Sequence, residues 1–245
     1  MGTPGLSSAI RATDWRVATV AAIAPETPRA ATLTLDVADW NGHRAGQHVD
    51  VRLTAEDGYR AQRSYSIASA PEDSKLMITV EELVDGEVSP WMVEVAAEGD
   101  RFEVRGPFGG WFVWDASSAE PLLLIAGGSG LVPLMSMLRH RRNAGSAVDA
   151  TLLLSVREAD DVLYARELET IGATVVKTYT RRPPAGWDGY ARRVDRAMLE
   201  EVAAPGVHVY VCGPTTFVES VADDLVALGH APANIRTERF GATGG

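Results

Sequence analysis

Leu122-Leu123-Leu124-Ile125-Ala126-Gly127-Gly128-Ser129-Gly130-Leu131-Val132-Pro133 is the stretch that decides the fold. Five consecutive apolar residues suit a short strand buried on both faces and fall short of an independent helix. Glycines then occupy positions 127, 128 and 130, and a segment with helical periodicity runs on to Arg142. A strand that turns through glycines into a helix leaves free N–H groups and the positive end of a helix dipole at the turn, where a phosphate can sit. A tight turn without a ligand is the plainer alternative, and the spacing is not G-x-G-x-x-G.

Downstream of this turn the pattern repeats. Strands are predicted over 151–156, 174–180, 207–212 and 235–240, with helices over 132–142, 161–170, 193–202 and 216–228. Alternation of apolar strands and helices predicts a parallel sheet covered on both faces. The strand after the glycine turn ends Leu154-Ser155-Val156-Arg157, with a hydroxyl and a guanidinium where dinucleotide domains often carry a carboxylate for the ribose. Arg157 suits a 2′-phosphate, and Arg181 and Arg182 follow the next strand, so NADPH is favoured over NADH. A solvated loop arginine is the alternative for Arg157. Cys212-Gly213-Pro214 closes the fourth parallel strand, at the carboxyl edge where ligands of open α/β sheets bind.

Upstream, short β-compatible runs over 15–23, 31–37, 48–53, 60–67, 76–82 and 101–105 are separated by Gly/Pro/Asp/Glu turns. They predict a six-stranded antiparallel Greek-key barrel. A short helix is expected over 89–97, with Ser89 as N-cap and Pro90 in the first helical position. The expected organisation is a barrel domain over 1–113, a linker over 114–120 and a nucleotide-binding α/β domain over 121–245. Within the barrel, Arg63-Ser64-Tyr65-Ser66-Ile67-Ala68-Ser69 sets a cation and an aromatic on one strand face and hydroxyls on the other. Such a strand end can hold a phosphate and a flat ring, or it can be a half-exposed edge.

The net charge of −10 is divided unequally: residues 1–120 hold 10 Lys+Arg against 19 Asp+Glu, and residues 121–245 hold 13 against 14. No basic footprint for nucleic acid results. No apolar run reaches the ~20 residues of a membrane helix, and the N-terminal residues carry no secretory pattern. A single cysteine, Cys212, provides no disulfide framework and no iron–sulfur ligand set, and the five histidines show no metal spacing. The expectation is a cytoplasmic monomer with no metal, nucleic-acid or membrane partner.

Six segments in fixed order carry a family resemblance: Arg63-Ser64-Tyr65-Ser66, Gly86-Glu87-Val88-Ser89-Pro90-Trp91, Gly106-Pro107-Phe108-Gly109, Gly127-Gly128-Ser129-Gly130-Leu131-Val132-Pro133, Cys212-Gly213-Pro214 and Glu238-Arg239-Phe240-Gly241. On these, the chain resembles the ferredoxin–NADP reductase family from about residue 15 onward. The resemblance implies bound FAD, with hydride passing from nicotinamide C4 to flavin N5. Electrons then go to a separate acceptor: a ferredoxin, a flavodoxin or an oxygenase component. By the same resemblance Arg63 meets the flavin pyrophosphate, Tyr65 packs on the isoalloxazine, and Ser66 lies near N5. Ser64 belongs to the same strand motif, while Gly86 and the backbone of Val88 and Ser89 complete the phosphate site. Gly127, Gly128, Ser129, Gly130 and Pro133 receive the nicotinamide nucleotide's pyrophosphate. Cys212, Gly213 and Pro214 lie by the nicotinamide, and Glu238 and Phe240 approach the flavin. Ser66, Cys212 and Glu238 are the catalytic candidates, though a buried structural thiol and a salt-bridge carboxylate remain open readings of the last two. The plant-type pattern ends on a tyrosine; here Phe240 and residues 241–245 take that place. Direct delivery to an oxygenase or to free flavin, and a catalytically silent nucleotide-binding subunit, are the alternatives.

Overall fold

A computed structural model describes residues 11–240. Six antiparallel strands form the first sheet: β1 (Arg16–Thr27), β2 (Ala30–Val37), β3 (His48–Thr54), β4 (Arg60–Ser66), β5 (Leu76–Glu81) and β6 (Arg101–Phe108). Their order is β4-β3-β6-β1-β2-β5, so the edge strands are β4, which ends in Arg63–Ser66, and β5, the next strand in sequence. The edges meet through an Ile67–Ile78 bridge and an Ala68 N–H bond to Met77 O of 2.7 Å, which closes the barrel. Val20, Leu33, Leu35, Val49, Val51, Ile67, Ile78 and Val104 fill its interior.

Five parallel strands make the second sheet: β7 (Leu122–Gly127), β8 (Ala150–Glu158), β9 (Thr174–Arg182), β10 (His208–Pro214) and β11 (Ile235–Phe240), in the order β11-β10-β7-β8-β9. Every residue of β7 is buried because its two faces serve two cores. Leu122, Leu124 and Ala126 pack with helix α1 (Leu131–Asn143), while Leu123 and Ile125 pack with α3 (Arg196–Val202) and α4 (Thr215–Ala227). The strand order reverses between β7 and β10, and crevices open at the carboxyl ends of such neighbours.

Two helices differ from expectation. In place of one helix over 161–170 there is a 3-10 turn that ends at Asp161, a turn at Leu163-Tyr164 and a single helical turn, α2 (Ala165–Leu168). Val162, Leu163 and Tyr164 are buried against the barrel side of the sheet, and Tyr164 takes a left-handed φ of 53°, so packing overrides the helical pattern. Near residue 90 the helix is a five-residue π turn, Trp91–Val95, preceded by Pro90. Ser89 is not its cap; its Oγ accepts the Leu83 N–H at 3.0 Å and closes the turn before it. The helix expected over 193–202 starts later, because Asp195 Oδ1 accepts Met198 N–H at 2.9 Å and caps α3 at Arg196.

The two sheets share a bonded seam. Tyr210 Oη donates to Val113 O at 2.9 Å. Tyr164 N–H bonds Glu26 Oε2 at 3.1 Å, and its hydroxyl donates to Thr79, which pairs with Thr32. His140 accepts Ala116 N–H on Nε2 at 3.2 Å, which leaves Nδ1 to donate to Glu72 at 2.6 Å.

Leu124→Ala should cost about 2–5 kcal/mol by opening a cavity in the fully buried central strand. Val226→Ala, at an exposed position of α4, should stay within about 0.5 kcal/mol. Urea unfolding of both variants compares them.

Candidate functional site

The carboxyl edge of the parallel sheet sets most of the expected residues in one line. Register pairs Phe240 with Pro214, Glu238 with Cys212, Cys212 with Ala126, Gly127 with Ser155 and Ser155 with Thr178. From β11 to β9 the row therefore runs Glu238 and Phe240, then Cys212–Pro214, then Gly127–Gly130, then Ser155 and Arg157, then Arg181. Four strand spacings of about 4.8 Å make this track about 19 Å long.

The glycines of the turn do different work. A Cβ on Gly130 would lie 2.1 Å from Cys212 O, and one on Gly213 would lie 2.8 Å from the Phe217 ring and 3.2 Å from Gly127 Cα. One on Gly127 would meet the Phe217 ring at 2.9 Å. These three let β7, β10 and their helices touch. Gly128 has a left-handed φ of +56° and nothing within 4 Å of its would-be Cβ, and with half-buried Ser129 it forms the open part of the turn. Pro133 is buried in the first turn of α1.

On the barrel side, Arg63 Nη2 reaches Glu87 Oε2 at 3.1 Å and its Nη1 donates to Gln62 O at 2.6 Å. Tyr59 Oη donates to Glu87 Oε1 at 2.6 Å. The Arg63 strand and the Gly86–Ser89 turn, distant in sequence, are thus in contact. Gly86 is required there, since a Cβ would sit 2.8 Å from Ser89 Oγ. Ser64 points to the other face, where its Oγ donates to Asp50 at 2.6 Å beside Arg105, a structural bond. Burial holds the half-buried Tyr65 phenol well above its ordinary range, so it presents a neutral ring.

The two units meet where Ser66 Oγ approaches Glu238 Oε1 at 3.5 Å. Desolvation pushes the Glu238 carboxyl up to about 7, with the Ser66 hydroxyl opposing the shift. Burial first, then the Glu238 charge, raises the Cys212 thiol, which stays protonated. Phe240 is 39% exposed at the end of β11; Gly241 and residues 242–245 lie outside the described residues.

Sequence reading missed Glu158. β8 continues two residues past Val156, and Glu158 pairs with Arg182 rather than leaving that arginine free. The signal was a carboxylate directly after Arg157. Arg157 and Arg181 are exposed and form no ion pair among the described residues. The arginines of 139–142 and 192–196 are largely engaged internally: Arg139 and Arg142 with Glu167, Arg192 with Asp195, and Arg196 with Asp224. Among the described residues there is no cluster placed to hold a metal ion and no helix long and apolar enough to cross a membrane.

A six-stranded antiparallel barrel joined to a five-stranded parallel sheet, with the Arg63–Ser66 strand end meeting the sheet at Glu238, is the architecture of two-domain flavin- and dinucleotide-dependent oxidoreductases. Comparison agrees. The family profile "Oxidoreductase FAD-binding domain" matches residues 16–113, and "Oxidoreductase NAD-binding domain" matches residues 124–223. Ferredoxin–NADP reductase B of Sorangium cellulosum is 31% identical over 91% of this chain and 96% of its own length. The glycine betaine monooxygenase reductase subunit of Chromohalobacter salexigens is 33% identical over 82% of this chain, and the match spans 56% of that subunit. The FAD/NAD-binding domain of Vibrio cholerae nitric oxide dioxygenase superposes with a TM-score of 0.82 at 25% identity, covering 92% of this chain and 98% of that one. The chain belongs to the ferredoxin–NADP reductase family.

Two outcomes follow. Gly130→Ala should destabilise the fold by roughly 1–3 kcal/mol or more through backbone overlap, and Gly128→Ala by about 1–2 kcal/mol through its φ alone; thermal unfolding ranks them. Folded Glu238 keeps its proton to about 7 whereas the unfolded chain releases it near 4.5, so native stability falls as pH rises between those values and is level above them. Urea midpoints of Glu238→Gln should lack that decline.

Proposed function

We propose that this chain is an FAD-dependent NAD(P)H reductase that passes electrons to a separate acceptor. The observation that carries the reading is the approach of Ser66 to Glu238, which sets the barrel's ring-and-phosphate strand against the end of the nucleotide track. The residues fit the two groups. Arg63 and the Gly86, Val88 and Ser89 turn would hold the flavin diphosphate, and Tyr65 would cover the ring with Phe240 near it. Gly128 and Ser129 would take the nicotinamide nucleotide's diphosphate, and Ser155, Arg157 and Arg181 its ribose end. The chemistry FAD supplies when bound is acceptance of a hydride at N5 and release of its electrons singly.

The chain's own groups do the rest. Ser66 and Glu238 hold a proton at the meeting of the two units, and a carboxyl that titrates near 7 can keep or release it at working pH. Cys212, a small neutral thiol paired in register with Glu238 of β11, would line the nicotinamide's pocket, and no nucleophile is required. Hydride transfer needs apposition above all, and orientation can remove about 7–11 kcal/mol of a barrier in ideal cases. Exposed Arg157 supports NADPH as donor; Glu158 beside it supports NADH as the alternative, through the ribose hydroxyls.

A ferredoxin or flavodoxin is the proposed acceptor. The likeness to a monooxygenase reductase subunit favours a second reading, delivery to an oxygenase component. The domain limits proposed are 1–113 and 121–245 with a linker over 114–120, and a cytoplasmic location is proposed because one buried thiol offers no disulfide.

The purified protein loaded with FAD should show flavin bands that bleach on anaerobic addition of NADPH. A protein that takes up no FAD, or bands that persist with both NADPH and NADH, would overturn the reading. Arg63→Ala should weaken FAD binding roughly 10- to 100-fold, the loss of a charge-assisted bond. Arg157→Ala should raise KM for NADPH far more than for NADH; equal effects would remove the 2′-phosphate role.

A further inference from the structure

Gly130, close against the Cys212 carbonyl, caps helix α1, whose first nine residues, Leu131 to Arg139, are all buried. Its 13 residues make a rod about 20 Å long. Two side chains on one face of that rod, three positions apart, cross to the barrel. Ser136 Oγ donates to Ser69 O at 2.6 Å, and Arg139 Nη1 donates to Ala68 O at 2.7 Å. Ala68 and Ser69 directly continue the Tyr65–Ser66 strand end. The same two residues are tied on the barrel side: Ala68 N–H to Met77 O, Met77 N–H to Ser69 Oγ at 3.1 Å, and His43 Nε2–H to Ser69 O at 3.0 Å.

Arg139 is itself held rigid. Its Nε and Nη2 grip Glu167 at 3.1 and 2.5 Å, and its guanidinium lies 4.8 Å from the Tyr164 ring centroid. Only 8% of Arg139 is exposed and none of Ser136. A buried ion pair adds little net stability over apolar residues of the same shape. What it adds is direction: a planar fork that fixes one carbonyl and one carboxylate at once.

We infer that Ser136 and Arg139 are positioning residues for hydride transfer: through α1 they set where the Tyr65–Ser66 strand end stands relative to the Gly127–Gly130 turn. The inference rests on the reductase reading above and adds the element that couples its two halves. It assigns neither residue a contact with either cofactor.

The test uses the FAD-loaded full chain and the variants Ser136→Ala, Arg139→Lys and the two combined. Lysine keeps a cation for Glu167 and gives up the second prong to Ala68 O. Stopped-flow reduction by the preferred nucleotide, protonated or deuterated at C4, gives the limiting rate, the nucleotide Kd and the isotope effect. Flavin content and Tm are measured alongside. The expected result is a limiting rate slower by about 10-fold in each single variant and about 100-fold in the double, the scale of a sub-ångström to 1 Å misplacement. A primary isotope effect should persist, with Kd and flavin content close to wild type and Tm lowered by only about 5 °C for each bond to a carbonyl that is lost, so that every variant is folded at the assay temperature. Rates within twofold of wild type in the double variant would overturn the inference, as would a slower rate that merely follows lost flavin, unfolding at the assay temperature or a raised Kd. Wild-type protein that is not reduced at all would instead overturn the reductase reading, and this inference with it.

Discussion

The close approach of the Gly130 backbone to the Cys212 carbonyl is the constraint on which the rest of the structure depends. It can exist only because position 130 has no Cβ, and it brings the turn after β7 against the end of β10. From that contact follow the start of α1, the crevice at the strand-order reversal, and the line of residues along the sheet's carboxyl edge. Gly127 and Gly213 extend the same logic around the Phe217 ring. Only Gly128 keeps its backbone open. Three of the turn's glycine contacts are thus packing devices, and Gly128 with Ser129 forms its open part.

Polar groups help to place the barrel, beside an apolar cluster in which Ala30, Ala45 and Ala68 pack with residues of the parallel-sheet unit. Tyr164, Glu26, Thr32 and Thr79 form one buried bonded chain; Arg139, Glu167 and Ala68 form another. Such groups are costly when unpaired, so they tolerate few alternative arrangements of the two units. The left-handed Tyr164 belongs with this: a non-glycine residue holds that φ only when its surroundings over-determine it. Burial where the two units meet also raises the Glu238 carboxyl.

How legible was this in the sequence? The eleven strands were readable because period-2 and all-apolar runs are local signals, and burial on both faces of β7 is written in five successive residues. Helices were less so. Residues 161–170 have a helical pattern, yet the buried seam claims Val162–Tyr164; the start of α3 was decided by a side-chain cap three residues inside the expected helix. Ser89 looked like a cap, and its hydroxyl was taken by Leu83. At 161–170 and at Ser89 a bond to a residue outside the window won over local propensity, whereas at α3 the Asp195–Met198 cap inside the window decided the start.

The site divides in the same way. Sequence by itself determined the chemistry on offer: an Arg-x-Tyr-Ser strand, a glycine turn between strand and helix, one cysteine at a strand end and a late Glu-x-Phe. It also determined their order along the chain, and with it the family. Only the tertiary structure decided which of them meet: that Ser66 faces Glu238, that Glu87 partners Arg63, that Ser64 turns away to Asp50, that Glu158 holds Arg182, and that α1 bolts the two halves together through Ser136 and Arg139. The physical reason is range. Strand and turn preferences act over a few residues, whereas these contacts join groups as far as 172 positions apart, and only the closed barrel and the ordered sheet bring them within bonding distance.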